Sequence, residues 1–555
     1  KNHFCLLIKK SDPISSKVNL FLILPFSVFV ATFHQIIMAD KEKIQSSGGF
    51  AKTTNFKWLG VGVAIFTLLA LMPTPESMVS KASEIFGSDL SPEIIAQRAY
   101  NMKIIIALLG MCTVFFATEA IPMPAVALLI GLVQLFFGIT QPARIVSTYA
   151  HDAVWFIAGS LAIGSTLVKY GLDKRIGMLV VKLSGTKTRN IVLGLLLGTA
   201  IPSAFINEAS IAPMYVPIAL ALYTLTNKTI SAPNLGKLLM MSIAIGCMVG
   251  APMSPTGGAR NAIMIGFLED YVSPNVSFFE WMSMGVFYTA IMSVLMAFLL
   301  PLLFKPEVKD LSDAVSVLKS DLEKHGKMTG KQWLVGGIML LMIFMWITDK
   351  TVTAGILGFP LILGGVAIKG AVLQILLGLT SWKDYEENVS WGVIILYAGA
   401  ISLGAVFKAS GAAKWLADSL IGIMANFGIS SGLPLILVVI LIGALLTNLM
   451  SAGATVAVIG PVVLEMAQSS GTNPVLIGVG LAIATSLAYW LVIGTPASSI
   501  VYAAGMLEAK DFIRMAVFAW PMALIVMAAM VIFWWAGVLP YEYGIDITRI
   551  PGAGG

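Results

Sequence analysis

Two ionisable side chains stand inside long apolar stretches of this sequence. Glu208, preceded by Asn207, lies within the apolar region 191–225, and Arg260 lies within the apolar region 238–268. Burying a charge in such a region is costly, so an ionisable residue there is a candidate for function. A carboxyl group can bind a cation or carry a proton, and a guanidinium can hold a carboxylate or sulfonate with two hydrogen bonds.

The composition predicts that these residues lie in a membrane. Of the 555 residues, 57% are hydrophobic and 12% are charged, whereas a soluble domain carries about 25% charged residues. A soluble chain this apolar could not cover its surface with polar groups, so the excess apolar surface must face membrane lipid. The three cysteines and four histidines lack the spacing of a disulfide framework or a metal site. The net charge of +6 fits basic cytoplasmic loops rather than a nucleic-acid surface.

Two kinds of membrane element are predicted to position the candidate residues. Because a bilayer crossing needs about 20 apolar residues, the regions 191–225 and 433–466 are too long for one helix and predict helical hairpins with polar tips. The regions 238–268 and 477–506 are interrupted by Gly and Pro and predict broken helices. Plain spans are predicted at 56–72, 102–118, 122–139, 153–169, 284–303, 333–347, 354–379, 392–407 and 515–538.

These elements recur in the same order in both halves of the chain. The matches at a constant offset of 240 residues are Ala158, Gly159, Gly164 and Gly171 with Ala398, Gly399, Gly404 and Gly411. In each half a hairpin and then a broken helix follow these matches. Such a repeat is typical of secondary transporters, whose binding site lies between the two repeats.

Basic residues predict the orientation of the chain. The loops at 174–189 and 305–331 are both rich in Lys and Arg, and such loops stay on the cytoplasmic side. They share one side only if neither hairpin crosses the membrane. We therefore expect a multi-pass protein of the bacterial inner membrane, with a cytoplasmic N-terminus and an external C-terminus. Residues 1–37, which precede Met38, are interpreted either as a signal-like or additional membrane segment or as translated upstream sequence.

Three parts of the sequence resemble one transporter family. They are Thr118-Glu119-Ala120-Ile121-Pro122-Met123-Pro124, then Trp391-Gly392-Val393-Ile394-Ile395-Leu396-Tyr397-Ala398-Gly399 with Phe407-Lys408-Ala409-Ser410-Gly411, and Gly494-Thr495-Pro496 with Ile500-Val501-Tyr502. These parts are similar to signatures of the divalent anion:sodium symporter family, which is solute carrier family 13 in animals. The resemblance extends from residue 56 to residue 538.

The resemblance implies an all-α polytopic membrane protein that works as a homodimeric elevator. Its fold is an inverted repeat with two re-entrant helical hairpins and two broken helices. The implied parts are an N-terminal segment (1–55), scaffold helices (56–188 and 333–426), the two halves of a transport domain (189–304 and 427–538), a cytoplasmic linker (305–332) and an external tail (539–555).

The resemblance also implies where ligands bind. In the family each hairpin tip carries Ser-Asn-Thr, which binds substrate carboxylate and shapes a sodium site with the facing broken helix. The substrate-binding residues expected at the matching positions are Asn207, Glu208, Gly258, Arg260, Ser451, Ala452, Gly453, Thr495 and Pro496. Arg260 stands in the first broken helix, where the family usually has a small residue or Pro. The implied ion-binding or ion-replacing residues are Ser203, Asn207, Glu208, Gly257, Arg260, Asn261, Thr447, Ser451 and Gly494. Sodium is the one metal expected, and no other cofactor is expected.

This sequence departs from the family pattern at both tips. The first tip reads Ile206-Asn207-Glu208, which keeps Asn but has Ile in place of Ser and Glu in place of Thr. The second tip keeps Ser451 but has Ala452 and Gly453 after it. This loss of donors predicts either room for a larger or less symmetric anion, or backbone N–H groups that substitute for the lost side chains.

Four interpretations of Glu208 and Arg260 stay open. In the first, the two pair and the fixed charge of Arg260 replaces one sodium ion. In the second, Glu208 titrates and couples transport to protons. In the third, Arg260 contacts the anionic substrate, and in the fourth both side chains reach a water-filled vestibule.

The sequence therefore predicts a secondary transporter of small divalent anions of the dicarboxylate, sulfonate or sulfate class. Its coupling ion is sodium or a proton. The alternatives are an anion exchanger without cation coupling and a transport-inactive receptor on the same fold. The spans carry no nucleophile–base motif and no metal motif, so we do not expect an enzyme.

Overall fold

The structure is a computed structural model that describes residues 54–535 except 173–174, 177–178, 180–182, 207, 229, 273–275, 317–326, 349–353 and 358–361. In this part of the chain the regular elements are helices, with one isolated bridge between Lys187 and Asp310. Eight of these helices are long and apolar enough to cross a membrane, or nine if the pair Phe56–Leu71 and Glu76–Phe86, bent by 76°, is one span. The predictions for Asn207, for 1–37 and for 539–555 lie outside the described residues.

The first half of the chain contains the predicted hairpin and broken helix. Its helices are α1 Phe56–Leu71, α2 Glu76–Phe86, α3 Pro92–Thr118, α4 Met123–Phe136, α5 Pro142–Tyr149, α6 Asp152–Lys169, α7 Thr188–Ser203, α8 Glu208–Asn227, α9 Pro233–Gly250, α10 Ala259–Leu268 and α11 Phe278–Leu303. The hairpin is α7 and α8. The broken helix is α9 and α10, which are joined by 3-10 turns at Ala251–Met253 and Pro255–Gly257.

The second half repeats this order. Its helices are α12 Gly330–Ile347, α13 Leu363–Leu376, α14 Trp382–Asn388, α15 Trp391–Ala409, α16 Ala412–Ala425, α17 Gly432–Leu446, α18 Ala452–Ser470, α19 Pro474–Ala484, α20 Pro496–Ala503 and α21 Ala509–Ala529. The second hairpin is α17 and α18, and the second broken helix is α19 and α20, with a 3-10 turn at Val492–Gly494. A π-helix at Met530–Trp535 follows α21.

Glycines at matching positions have the same structural roles in both halves. Gly171 and Gly411 follow α6 and α15 with φ of 65° and 79°, a left-handed conformation that glycine adopts without steric cost. A Cβ on Gly159 would lie 2.4 Å from the backbone of Ala367, and a Cβ on Gly399 would lie 2.4 Å from Cβ of Ala127. These glycines therefore let α6 pack closely on α13 and α15 on α4, which confirms the predicted repeat.

The two halves exchange the second parts of their broken helices. Helix α10 of the first half packs against α18 and α19 of the second, and α20 of the second half packs against α8 and α9 of the first. All residues of α19 are buried. The centre of this helical assembly is therefore built jointly by both repeats, and neither repeat has a complete core of its own.

Some predicted spans were wrong in extent. The region 354–379 is not one helix, because Ile362, the N-cap of α13, has an extended backbone with φ of −70° and ψ of 148°. A single turn at Ala354–Leu357 precedes it, and residues 358–361 lie outside the described residues. Helix α3 begins at Pro92 rather than at residue 102, because Ser91 caps it by accepting a hydrogen bond from the N–H of Ile94 at 3.4 Å. The first turns of α3 carry charged residues, so they do not belong to the apolar stretch from which the span was predicted.

Candidate functional site

The first hairpin tip is tied to the first break by hydroxyl groups. Ser254 Oγ and Thr256 Oγ1 both donate to the carbonyl oxygen of Ala204, the latter at 3.0 Å. The amide of Asn261 donates to the carbonyl oxygens of Ala251 and Ser254 at 2.9 and 2.7 Å. These bonds occupy the side-chain N–H groups of Asn261, while its Oδ1 is buried without a hydrogen-bond partner in the described structure.

Gly257 allows the chain to fold tightly at this junction, and Gly258 lies beside Arg260. A Cβ on Gly257 would lie 2.1 Å from the carbonyl oxygen of Ala251 and 3.0 Å from that of Ser203. A Cβ on Gly258 would lie 3.5 Å from Cζ of Arg260, so the guanidinium lies alongside this glycine. Gly258 is also the N-cap of α10, so the positive end of the helix dipole lies next to the guanidinium.

Arg260 is buried with unused hydrogen-bond donors. Its side chain is 4% exposed, and its Nε and Nη2 have no hydrogen-bond partner within the described part of the chain. Glu208 interacts electrostatically with Arg260, but its buried Oε2 has no hydrogen-bond partner among the described residues, which do not include the adjacent Asn207. Because a buried charge is costly unless it is paired, both groups are suited to binding something that the chain does not itself supply.

Three tyrosines surround Arg260. Tyr288 on α11, Tyr397 on α15 and Tyr489 at the second break are all buried and lie within electrostatic range of the guanidinium. The hydroxyls of Tyr288 and Tyr489 adjoin each other. Phenol groups can donate hydrogen bonds to an anion without adding a charge. The environment of Arg260 is therefore made by elements from both repeats.

A cavity of about 90 Å³ adjoins this region. It lies between α6, the first hairpin tip, the first break and α15. Gly258, Ala259 and Tyr397 line it directly, so it reaches the N-terminus of α10. Its polar lining side chains are Ser160, Ser165, Ser210, Thr256, Asn388, Ser390 and Tyr397. The described lining residues include donors and acceptors but no acidic group, which suits a small anion.

The second hairpin tip is tied to the second break in the opposite sense. Here the tip donates: Thr447 Oγ1 donates to the carbonyl oxygen of Thr485 at 2.7 Å, and the Asn448 amide donates to that of Leu487 at 3.4 Å. Asn448 Oδ1 in turn accepts from the N–H of Trp490 at 3.2 Å. The polar atoms of Asn448 are therefore already used inside the protein.

The remaining predicted residues of the second half act as helix caps or packing positions. Ser451 Oγ accepts from the N–H of Ala454 at 3.3 Å and caps α18, which begins at Ala452. Thr495 Oγ1 caps α20, whose first residue is Pro496, by accepting from the N–H of Ser498 at 3.2 Å. Gly494 precedes this cap in the 3-10 turn.

Gly453 brings the second tip against the start of α10. A Cβ on Gly453 would lie 2.9 Å from Cβ of Ala259, next to Arg260. The space expected from the loss of a side chain at this position is therefore filled by the neighbouring helix.

The structure thus brings together two groups of predicted residues. Ser203, Glu208, Gly257, Gly258, Arg260 and Asn261 lie at the first junction, and Gly453 reaches it from the second tip. Thr447, Gly494, Thr495 and Pro496 lie at the second junction. Sequence reasoning missed Ser254, Thr256, Tyr288 and Tyr489. Ser254 and Thr256 lie in the Gly- and Pro-rich break, and this position could have indicated them. No local feature of the sequence indicates the two tyrosines.

The chain is similar over most of its length to known membrane transporters. The family described as sodium:sulfate symporter transmembrane region matches residues 53–540. The sodium-dependent dicarboxylate transporter SdcS of Staphylococcus saprophyticus is 26% identical over 458 residues, which cover 78% of this chain and 86% of that protein. SdcS of Staphylococcus aureus is 26% identical over 462 residues, which cover 78% of this chain and 85% of that protein.

Among solved structures, the YdaH transporter of Alcanivorax borkumensis, described as having an unusual topology, matches with a TM-score of 0.49 and 12% identity. The match covers 70% of this chain and 86% of that one.

Proposed function

We propose that this chain, which belongs to the sodium:sulfate symporter family of secondary transporters and is not an enzyme, carries a small dianion of the dicarboxylate class. The observation that carries this proposal is the buried guanidinium of Arg260, whose Nε and Nη2 have no hydrogen-bond partner within the described residues. Relatives described as sodium-dependent dicarboxylate transporters support the same substrate class.

One carboxylate of the substrate binds Arg260 in this proposal. Two charge-assisted hydrogen bonds from one guanidinium match the geometry of a carboxylate. The N-terminus of α10 adds a second favourable interaction with negative charge. The hydroxyls of Tyr288, Tyr397 and Tyr489 supply neutral donors around the same position. The negative charge of the bound substrate would thereby compensate the buried positive charge of Arg260.

One coupling cation binds at the first junction. The supporting observation is that Asn261 Oδ1 and Glu208 Oε2 are buried acceptors without a hydrogen-bond donor in the described structure. The Ser203 hydroxyl is buried nearby, beside Cys247. Oxygen atoms of this kind suit a sodium ion, and a proton on Glu208 would satisfy the same carboxyl group. At the second junction Thr447 and Asn448 already bond within the protein, and the described groups without partners are the neutral hydroxyls of Ser486 and Tyr489, so we assign no cation there.

Transport proceeds by an elevator movement in a homodimer, with a cytoplasmic N-terminus and an external C-terminus. The hairpins, broken helices and helices α11 and α21 move against the remaining helices. Two polar contacts must break in this movement, since both join the end of α10 to scaffold helices. Glu269 Oε2 lies 3.0 Å from Nε2 of His151, and Lys408 Nζ donates to the carbonyl oxygen of Asp270.

The test is uptake by the purified chain in liposomes, with C4–C6 dicarboxylates, sulfonates and sulfate as substrates. Each substrate is measured with a sodium gradient, with a proton gradient and with neither. We expect dicarboxylate uptake that is driven by one of the two gradients. Uptake that requires only substrate inside the liposome would identify an exchanger and would contradict the coupling cation.

Arg260→Gln supplies the decisive variant. Because hydrogen bonds to charged groups contribute about 1.5–3 kcal/mol each, loss of the guanidinium is expected to lower uptake at limiting substrate roughly 100-fold. The matched control is Arg514→Gln, an exposed arginine on α21 that faces the Phe304 ring. Normal dicarboxylate uptake by Arg260→Gln would overturn the proposed substrate site.

A further inference from the structure

A second polar cavity lies away from the candidate substrate site. Its volume is about 310 Å³, and its lining comes from α3, α4, α5, α15 and the segment between α4 and α5. None of the described hairpin or broken-helix residues lines it. At about 30 Å³ for each water molecule, it has room for roughly ten waters, well beyond the cavity at α10.

Two arginines face this cavity from different helices. Arg98 projects from α3 and Arg144 from α5, and neither forms an ion pair with a described residue. Arg98 stacks over the ring of Phe86 with its Cζ 4.8 Å from the centroid, which holds the guanidinium in place. Among the described lining residues there is no Asp or Glu. The cavity therefore concentrates positive charge without an internal counter-ion.

The floor of the cavity is polar and fixed. Gln134 and Ser402 are both 1% exposed, and Gln134 Nε2 donates to Ser402 Oγ at 3.0 Å. Around them lie uncharged donors and acceptors of Asn101, Thr140, Gln141 and Thr148. A cavity with two guanidinium groups and several neutral hydrogen-bonding groups is suited to an anion that also carries hydroxyl groups.

The surroundings of the cavity are apolar and exposed. Phe136, at the end of α4, is 47% exposed, and Val146 on α5 is 68% exposed. Exposed apolar residues beside a basic polar cavity are the pattern that an anionic lipid requires, with acyl chains outside and a headgroup within. We infer that this cavity binds a glycerol phosphate group, either as the headgroup of an anionic phospholipid or as a free phosphate ester.

The bound group would join four helices that otherwise meet around an open space. Its phosphate would contact Arg98 and Arg144, and its glycerol hydroxyls would reach the Gln134 side of the cavity. Since these helices belong to the proposed scaffold, the site stabilises the part of the protein that does not move. This inference does not depend on the proposed substrate, and its test needs no transport measurement.

The test is thermal unfolding of the purified full chain in detergent with three probes. These are phosphatidylglycerol, phosphatidylcholine and glycerol 3-phosphate. A ligand at high occupancy of the native state is expected to raise the unfolding temperature by about 2 °C. A shift with phosphatidylglycerol but not phosphatidylcholine supports the lipid headgroup, and a shift with glycerol 3-phosphate alone supports the free ester.

The variants decide whether the shift arises in this cavity. The double variant Arg98→Gln, Arg144→Gln is expected to abolish the shift in unfolding temperature. The single variant Arg144→Gln, at an exposed position, is expected to reduce the shift. The matched control is Arg189→Gln, an exposed arginine that stacks over Phe298 at 3.9 Å and lines neither described cavity. No shift with any probe, or a shift that the double variant retains, would overturn the assignment.

Discussion

At the two junctions between hairpin tip and broken helix, the side chains that donate hydrogen bonds lie on opposite partners. At the first junction the break donates, through Ser254 and Thr256, to the backbone of the tip. At the second junction the tip donates, through Thr447 and Asn448, to the backbone of the break. The same repeat unit therefore closes in two chemically different ways.

The two junctions also differ in the polar groups that have no hydrogen-bond partner within the described residues. Among the described residues, Glu208 Oε2, Asn261 Oδ1 and two nitrogens of Arg260 are buried without hydrogen-bond partners at the first junction. At the second junction Thr447 and Asn448 bond within the protein, and the groups without partners are the neutral hydroxyls of Ser486 and Tyr489. Buried polar atoms without partners cost stability and mark places where a ligand completes the structure. The charged groups without hydrogen-bond partners therefore lie at the first junction, and those at the second junction are neutral hydroxyls.

The largest expected effect comes from the glycine at each break. Gly257→Ala places a Cβ 2.1 Å from the Ala251 carbonyl oxygen, and Gly494→Ala places one 2.8 Å from that of Ala488. Overpacking against rigid backbone costs about 1–3 kcal/mol. We expect Gly257→Ala to abolish uptake and Gly494→Ala to reduce it less. Equal losses in uptake by the two variants, at equal protein yield, would show that both junctions are equally demanding.

Two substitutions with smaller expected effects distinguish a residue that binds a cation from a residue that only holds a hairpin tip to its broken helix. Glu208→Gln removes a charge at the first junction, and we expect it to change the cation dependence of uptake about tenfold. Thr447→Val removes the hydrogen bond to Thr485, and we expect it to destabilise the fold by about 1 kcal/mol with unchanged cation dependence. The measurements are uptake against cation concentration and thermal unfolding. A changed cation dependence in Thr447→Val would place a cation at the second junction.

The smallest effect concerns a contact outside both junctions. The Ser381 hydroxyl and the Lys169 ammonium donate to Asp384 at 2.6 and 2.9 Å, and they hold the pKa of that carboxyl below its usual range. Since the pKa is depressed in the folded state, the stabilisation is present above about pH 4 and is lost as the pH falls through the folded pKa.

We therefore expect Asp384→Asn to lower the unfolding temperature slightly at neutral pH, and less so at about pH 3, while uptake is unchanged. Unfolding followed at both pH values checks this sign. A loss of uptake in this variant would mean that contacts between α6 and α14 influence transport as strongly as the junctions do.

Much of the fold follows from local features of the sequence. The hairpins and breaks are marked by apolar regions of unusual length and by Gly and Pro within them. Gly171 and Gly411 mark the repeat, because each follows a helix in a left-handed conformation and that conformation favours glycine. Short helices such as α5 and α14 were missed, since they are amphipathic or polar and do not span the membrane.

The candidate site was predictable only in part. Arg260 and Glu208 were found because a charge in an apolar region is conspicuous. Tyr288 and Tyr489 were not, because they reach Arg260 from distant parts of the chain, and a tyrosine in a membrane helix has many ordinary roles. The direction of the hydrogen bonds at each tip also depends on backbone geometry that residue types alone do not define.

The exchange of helices between the repeats has a consequence for biosynthesis. Because α10 packs against α18 and α19, Arg260 must enter the membrane long before residues 452–484 exist to cover it. The nascent first half therefore presents an incompletely packed, charged helix to the insertion machinery or to lipid. Helix α10 can reach its final position only after the second half has been synthesised, so the last stage of folding forms contacts between distant parts of the chain. A truncated chain would leave this helix uncovered and would be a substrate for quality control.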